Sequence, residues 1–281
     1  MGRDVFLLPG LGADSPAKVS AYQAKVADGL SESRRRASLS APVAPLRFTT
    51  GDYHAFLDEG HQYKWEKQAG KRLDSNAELI RSECECCKDG PGRKVRHRVI
   101  AKANGAPGVP KVMRRVIQDN EPTAVDFVMR PKYRAAIRDS IRSQTPENAS
   151  VIIGHSLGTL VGLDLLANTD IQPNLFLTFG SPIGIKALYR EFESSYWEWI
   201  KRRAVPWVNV HHRNDEVTGC GGLREDHFPR VVNIRVRHGG RAHSSIEYFS
   251  HPSVSALVDA ATAGEGAIEP ERVVRPYVNF L

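Results

Sequence analysis

Residues 151–158 read Val-Ile-Ile-Gly-His-Ser-Leu-Gly, and this sequence is the strongest indication of the fold class. The apolar run that ends at its first glycine predicts a buried strand over residues 149–153. Apolar residues at four-residue spacing predict a helix over residues 157–168. The chain must therefore turn sharply from a strand into a helix at Ser156. The glycines two positions before and two positions after Ser156 leave room for the strand and the helix to pass closely.

The same alternation of short apolar runs and helical patterns extends over most of the chain. Strands are predicted over residues 4–9, 43–49, 149–153, 174–179, 207–211 and 231–237, and helices over residues 15–30, 133–143, 157–168, 185–203 and 252–263. Nearly continuous apolar strands that alternate with helices predict an α/β fold, with a mainly parallel central sheet and helices on both faces. We expect residues 1–281 to form a single domain.

Residues 51–130 interrupt this alternation. The segment is polar and basic, is rich in glycine and proline around residues 89–110, and has a predicted helix over residues 64–81 and a predicted strand over residues 94–103. Long segments of this kind are typically lids, binding elements or disordered loops. We therefore expect a large insertion, a lid or a partner-binding element, peripheral to the sheet.

The excess positive charge of the protein lies in this insertion. The sequence has 39 Lys and Arg against 32 Asp and Glu, a net charge of +7. Ten basic and three acidic residues lie between Arg81 and Ile117, so this part of the chain accounts for the whole net positive charge. It is either a solvated surface or a site for an anionic surface or an acidic partner. It contains no aromatic residue, which argues against binding of single-stranded nucleic acid.

Cysteine usage and hydropathy predict a reduced, cytoplasmic location. Three of the four cysteines, Cys84, Cys86 and Cys87, are clustered, and they fit neither a disulfide framework nor the paired spacing of a structural zinc site. The apolar run near the N-terminus is too short for a signal peptide. No stretch approaches the roughly 18 apolar residues of a transmembrane segment.

The GHSLG motif around Ser156 resembles the nucleophile elbow of the α/β-hydrolase superfamily, particularly its lipases and esterases. The strand and turn at residues 175–182 are similar to the segment after the elbow helix in many lipases. LLPGLG, residues 7–12, resembles the strand and turn that supply half of an oxyanion hole. The resemblance covers residues 4–50 and 133–262 and leaves the insertion outside. It implies the α/β-hydrolase fold and an acyl-serine intermediate on Ser156.

A serine nucleophile of this kind needs a base, and the base needs an acid that orients it. In α/β-hydrolases the three residues follow one another as serine, acid, histidine. Asp215 lies just after the predicted strand over residues 207–211, in a pattern similar to the Asn-Asp-x-Val of many lipases. Asp215 is the predicted acid. Glu216 is the nearest alternative and Asp226 a more distant one.

Three histidines after the predicted strand over residues 231–237 are candidates for the base. His238 follows that strand too closely to reach across, and His251 precedes a proline at the predicted start of the last helix, where a capping role is natural. His243 follows a flexible pair of glycines and is soon followed by two aromatic residues, as in lipase-like sequences. His243 is therefore the predicted base.

The negative charge of a tetrahedral intermediate needs two preorganised donors. The backbone N–H of Leu157 is one predicted donor, and the backbone N–H of Leu11, in the turn after the first strand, is the other. No cofactor is expected. The pair His211 and His212 suggests a metal, but no third ligand lies at a useful spacing.

The sequence therefore predicts a serine-dependent hydrolase of carboxylic esters, with a small-molecule or lipid ester as substrate. A thioesterase or an acyltransferase would use the same triad. A binding protein that uses the basic insertion and has no catalytic activity is the alternative from another class.

Overall fold

A computed structural model describes the regular part of the chain and little of the insertion. The described residues are 3–10, 15–40, 45–53, 127, 131–184, 194–202, 204–218, 222–237, 243, 245–264 and 268–280. The helix predicted over residues 64–81, the strand predicted over residues 94–103 and the cysteine cluster lie outside them.

The predicted parallel sheet is confirmed. Its strands are β1 (Asp4–Leu8), β2 (Arg47–Thr50), β3 (Ala149–His155), β4 (Leu175–Phe179), β5 (Trp207–His212) and β6 (Val231–Val236). Their spatial order is β2-β1-β3-β4-β5-β6, and every neighbouring pair is parallel. The chain moves one way along the sheet from β1 to β2 and the opposite way from β3 to β6. The carboxyl ends of β1 and β3 therefore flank a topological switch point, where α/β sheets commonly bind ligands.

Helices cover both faces of the sheet, as predicted. They are α1 (Pro16–Arg36), α2 (Pro131–Gln144), α3 (Leu157–Asn168), α4 (Ser194–Arg202), α5 (Ser245–Phe249), α6 (Pro252–Thr262) and α7 (Pro270–Val274). Helices α1, α5 and α6 pack on one face, and α2, α3 and α4 pack on the other. Of the helix predicted over residues 185–203, the described part is α4. No helix among the described residues has the length and apolar character needed to cross a membrane.

Each central strand contributes to two separate hydrophobic cores. In β1, Phe6 and Leu8 lie in the core beneath α2, α3 and α4, whereas Val5 and Leu7 lie in the core beneath α1, α5 and α6. All four side chains are completely buried. Because both faces of the strand are covered, its sequence is a continuous apolar run without polar alternation.

Helix α1 is longer than the sequence predicted. The prediction ended the helix at residue 30, where the apolar periodicity ends, but the helix continues to Arg36. Glu32 forms ion pairs with Arg35 and Arg36, three and four positions later. These pairs, and basic residues at the negative end of the helix dipole, stabilise a last turn that has no apolar signal.

The two ends of the predicted insertion belong to the main domain. Tyr53 and Phe127 are completely buried in the core beneath α2, α3 and α4. The Tyr53 hydroxyl donates a hydrogen bond to the carbonyl of Pro9. Nearly all the rest of residues 51–130 lies outside the described residues, so a lid or partner-binding role stays a prediction.

Candidate active site

Ser156 lies between the end of β3 and the start of α3, in a strained backbone conformation. Its φ is 54° and its ψ is −123°, a region that residues other than glycine rarely adopt. Its N–H donates to the carbonyl of Phe179 at 3.0 Å. Its carbonyl accepts from the Thr159 N–H at 3.0 Å and the Thr159 hydroxyl at 2.7 Å. The backbone of the turn is therefore held on both sides of the serine at the carboxyl edge of the sheet.

Three glycines make the close approach at this turn possible. A Cβ atom on Gly158 would lie 2.0 Å from the carbonyl oxygen of Leu8, and a Cβ atom on Gly154 would lie 2.8 Å from the carbonyl oxygen of Gly158. A Cβ atom on Gly10, just after β1, would lie 2.9 Å from the Cβ of Ser156. The serine thus lies at the topological switch point between β1 and β3.

Gly158→Ala is expected to destabilise the protein strongly. The added methyl group would overlap a backbone carbonyl of β1, so strand and helix would have to separate, at roughly 3 kcal/mol or more. Thermal unfolding should show a melting temperature lower by about 6–12 °C. Gly184→Ala is the matched control, because its nearest neighbour is the flexible Leu223 side chain at 3.3 Å. Equal melting temperatures for the two variants would contradict this account of the turn.

Asp215 and His243 form a direct pair. The Nδ1 atom of His243 lies 2.8 Å from Oδ2 of Asp215, whose side chain is 1 % exposed. The other oxygen, Oδ1, accepts from the backbone N–H of Val217 at 2.9 Å. A buried carboxylate favours a proton on the nearer nitrogen, Nδ1. The imidazole is then in the tautomer whose Nε2 can accept a proton.

The imidazole of His243 lies close to the elbow on two sides. On one side lies Gly180, which has a φ of 57°: a Cβ atom on it would lie 2.8 Å from Cε1 of His243. Gly180 follows Phe179, whose carbonyl accepts the hydrogen bond from the Ser156 N–H. The ring of His155 stacks on the His243 ring, with centroids 5.0 Å apart. Within the described residues no hydrogen bond joins the Ser156 hydroxyl to His243. Bonds of this kind often tighten only with substrate bound.

His155, the residue before Ser156, packs against other rings of the site. Its ring lies between those of Tyr22 and His243, at centroid distances of 6.3 Å and 5.0 Å. Burial, and then the proximity of His243, hold the pKa of His155 well below its ordinary value. His155 is therefore a neutral, flat surface on which the His243 ring rests.

The alternative acids are less favourably placed or lie outside the description. Asp226 is exposed and forms an ion pair with Arg224 at 2.9 Å, on the surface. The side chain of Glu216 lies outside the described part of the structure, although its backbone begins the short turn after Asp215. Of the three carboxylates, Asp215 is the one that the described residues place in contact with His243, next to the elbow.

The alternative bases have other roles or cannot be placed. His251 is the N-cap of α6, and its side chain accepts a hydrogen bond from the Ser253 N–H. Burial, and then the charge of Arg36, lower the pKa of His251 to about 4. His238 is outside the described residues. His243 is thus the described candidate next to a carboxylate.

The lowered pKa of His251 predicts a loss of stability in mild acid. A histidine whose folded-state pKa is about 4 resists protonation, whereas the unfolded chain takes up the proton near pH 6.5. The contribution of neutral His251 to the free energy of unfolding is complete above pH 6.5 and is lost as the pH falls towards 4. For His251 the loss at pH 5 is about 2 kcal/mol.

His251→Asn provides the test, because asparagine also caps helices but does not titrate in this range. The decrease in unfolding free energy from pH 7.5 to pH 5 should be smaller in the variant by about 2 kcal/mol. An identical decrease in variant and wild type would show that His251 titrates normally.

One of the two predicted oxyanion donors can be placed. Leu157 is the first residue of α3, and the first N–H groups of a helix have no partner within the helix. Leu11 lies outside the described residues, although the preceding Gly10 approaches Ser156. The second donor therefore stays a prediction.

His211 and His212 end β5, and both are buried. Burial, followed by the charge of Arg235, lowers the pKa of His211 to about 4. In the part of the chain that the structure describes, no group of three or more His, Cys, Asp or Glu side chains could hold a metal ion.

Sequence reasoning missed one member of the site. The hydroxyl of Tyr248 donates a hydrogen bond to Oδ2 of Asp215. The sequence drew attention to Tyr248 only as an aromatic residue after His243, because no spacing rule shows which hydroxyl faces a carboxylate.

Comparison of the chain with protein-family models, curated protein sequences and solved structures found no match.

Proposed function

We propose that the protein is a serine-dependent carboxylic ester hydrolase of the α/β-hydrolase type. Ser156 is the nucleophile, His243 the general base and Asp215 the acid that orients it. The observation that carries this proposal is the pair of a buried Asp215 and a half-buried His243 beside a serine at positive φ between strand and helix. A solvated surface turn would have no reason to combine these features.

The proposed reaction has two steps. In the first, the Ser156 hydroxyl attacks the carbonyl carbon of the ester while Nε2 of His243 takes the hydroxyl proton. The same proton then passes to the leaving alcohol, and an acyl-serine remains. In the second step His243 deprotonates a water molecule that attacks the acyl group, and the proton returns to Ser156 as the carboxylic acid leaves. Asp215 stabilises the imidazolium that forms in each step.

The N-terminus of α3 supports this chemistry electrostatically. The N–H of Leu157 and the positive end of the helix dipole lie next to Ser156, where the oxyanion of the tetrahedral intermediate would develop. Loss of one oxyanion donor costs about 3–4 kcal/mol of transition-state stabilisation. Thioester cleavage and acyl transfer to another alcohol would use the same groups.

Labelling with a fluorophosphonate tests the proposal directly, because only an activated serine reacts with it. The native protein should form one covalent adduct, which peptide mass spectrometry should locate on Ser156, and heat-denatured protein should form none. The native protein should also hydrolyse p-nitrophenyl esters, and a series of acyl chain lengths would define the substrate class. Absence of both reactions would favour the binding-protein alternative.

A further inference from the structure

The carboxylate of Asp215 accepts three hydrogen bonds from described residues, and one of them comes from a tyrosine hydroxyl. Oδ1 accepts from the N–H of Val217 at 2.9 Å, and Oδ2 accepts from Nδ1 of His243 at 2.8 Å. Oδ2 also accepts from the hydroxyl of Tyr248. The tyrosine and the histidine therefore share one carboxylate oxygen.

Tyr248 is held as a permanent hydrogen-bond donor. Burial, and then the negative charge of Asp215, raise the pKa of Tyr248 far above its ordinary value, although the His212 backbone opposes this effect. The hydroxyl thus keeps its proton at neutral and mildly alkaline pH. A phenolic O–H that cannot ionise next to a carboxylate can only donate to it.

The ring of Tyr248 is fixed as firmly as its hydroxyl. The side chain is completely buried in α5. Its ring centroid lies 6.1 Å from that of Phe179, whose carbonyl accepts the hydrogen bond from the Ser156 N–H. It lies 6.4 Å from the ring centroid of His155, which stacks on His243. The hydroxyl position is therefore set by the same groups that set the positions of the serine and the base.

We propose that Tyr248 is a positioning residue of the catalytic site: its hydroxyl holds Oδ2 of Asp215 in place. This inference rests on the proposed hydrolase function. Two fixed donors on one oxygen define the position of the carboxylate and, through it, the orientation of the His243 ring.

Tyr248→Phe removes the hydroxyl and keeps the ring. We expect kcat for a p-nitrophenyl ester to fall roughly tenfold with KM nearly unchanged, because the base is less well oriented. A purely structural role would lower the melting temperature without this separation of kcat from KM.

Tyr22→Phe is the matched control. Tyr22 is also buried and its ring contacts His155, but its hydroxyl has no hydrogen-bond partner among the described residues. Removal of this hydroxyl should change neither kcat nor KM. Thermal unfolding of both variants would establish that they are folded.

Nuclear magnetic resonance of the histidine side chains gives a readout that does not depend on turnover. The resonance of the Nδ1 proton of His243, assigned with His243→Ala, should shift in Tyr248→Phe and stay unchanged in Tyr22→Phe, because only the first variant alters a hydrogen bond to Asp215. An unchanged resonance in Tyr248→Phe would overturn the inference, as would an equal loss of kcat in both variants. A shifted resonance in a protein that neither hydrolyses esters nor reacts with fluorophosphonate would instead overturn the proposed hydrolase function.

Discussion

Ser156→Ala should abolish ester hydrolysis and leave the fold intact. The hydroxyl oxygen forms the bond to the acyl group, and alanine has no atom that can replace it, so kcat should fall by roughly 10⁴-fold or more. Alanine at a φ of 54° is strained much as serine is, so the melting temperature should change little. Hydrolysis of a p-nitrophenyl ester and fluorophosphonate labelling should both be lost.

Ser31→Ala is the control for this experiment. Ser31 is an exposed serine of α1 whose hydroxyl donates to the Ala27 carbonyl of the same helix, so the variant should keep full activity and labelling. If Ser156→Ala kept more than a few per cent of the wild-type turnover, the nucleophile would have to be a different residue.

His243→Ala should lower kcat by roughly 10³–10⁴-fold. Without the imidazole the serine hydroxyl keeps its proton and the leaving alcohol receives none, although the oxyanion donors continue to act. Added imidazole should restore part of the activity, because the small base can occupy the space next to the buried Asp215. Rescue of this kind separates loss of a base from loss of structure.

His251→Asn is the matched control for the base. It replaces the other described candidate while preserving its cap on α6, and its activity near neutral pH should be close to that of the wild type. A larger loss in His251→Asn than in His243→Ala would assign the base to His251.

The turn at Ser156 could be predicted from sequence because it depends on local chemistry. An apolar run, two glycines and an apolar helix leave few other arrangements, and the structure has β3 and α3 at the expected positions. The order of the strands could not be predicted in the same way. The position of β1 between β2 and β3 is a property of the whole sheet. This position brings Gly10, just after β1, close to Ser156.

The proposed acid and base, Asp215 and His243, could be selected by their order along the chain, but the contacts that hold them could not be predicted. Helix α5 has only five residues, too few for a periodic signal, so the position of Tyr248 against Asp215 was not visible in the sequence. The contact between the rings of His155 and His243 joins residues that are far apart along the chain. Packing between distant segments determines both features.

The parallel pairing of β1 with β3 also has a consequence for biosynthesis. Residues 4–8 pair with residues 149–154, so about 140 residues must be made after β1 before its inner partner exists. At 5–20 residues per second a ribosome needs about 7–30 s for this length. During that time the apolar β1 has only the short β2 beside it, and its inner edge is open to other chains. Nascent chains that stop before residue 149 should therefore aggregate or bind chaperones, whereas chains that extend past β3 should begin to resist proteolysis.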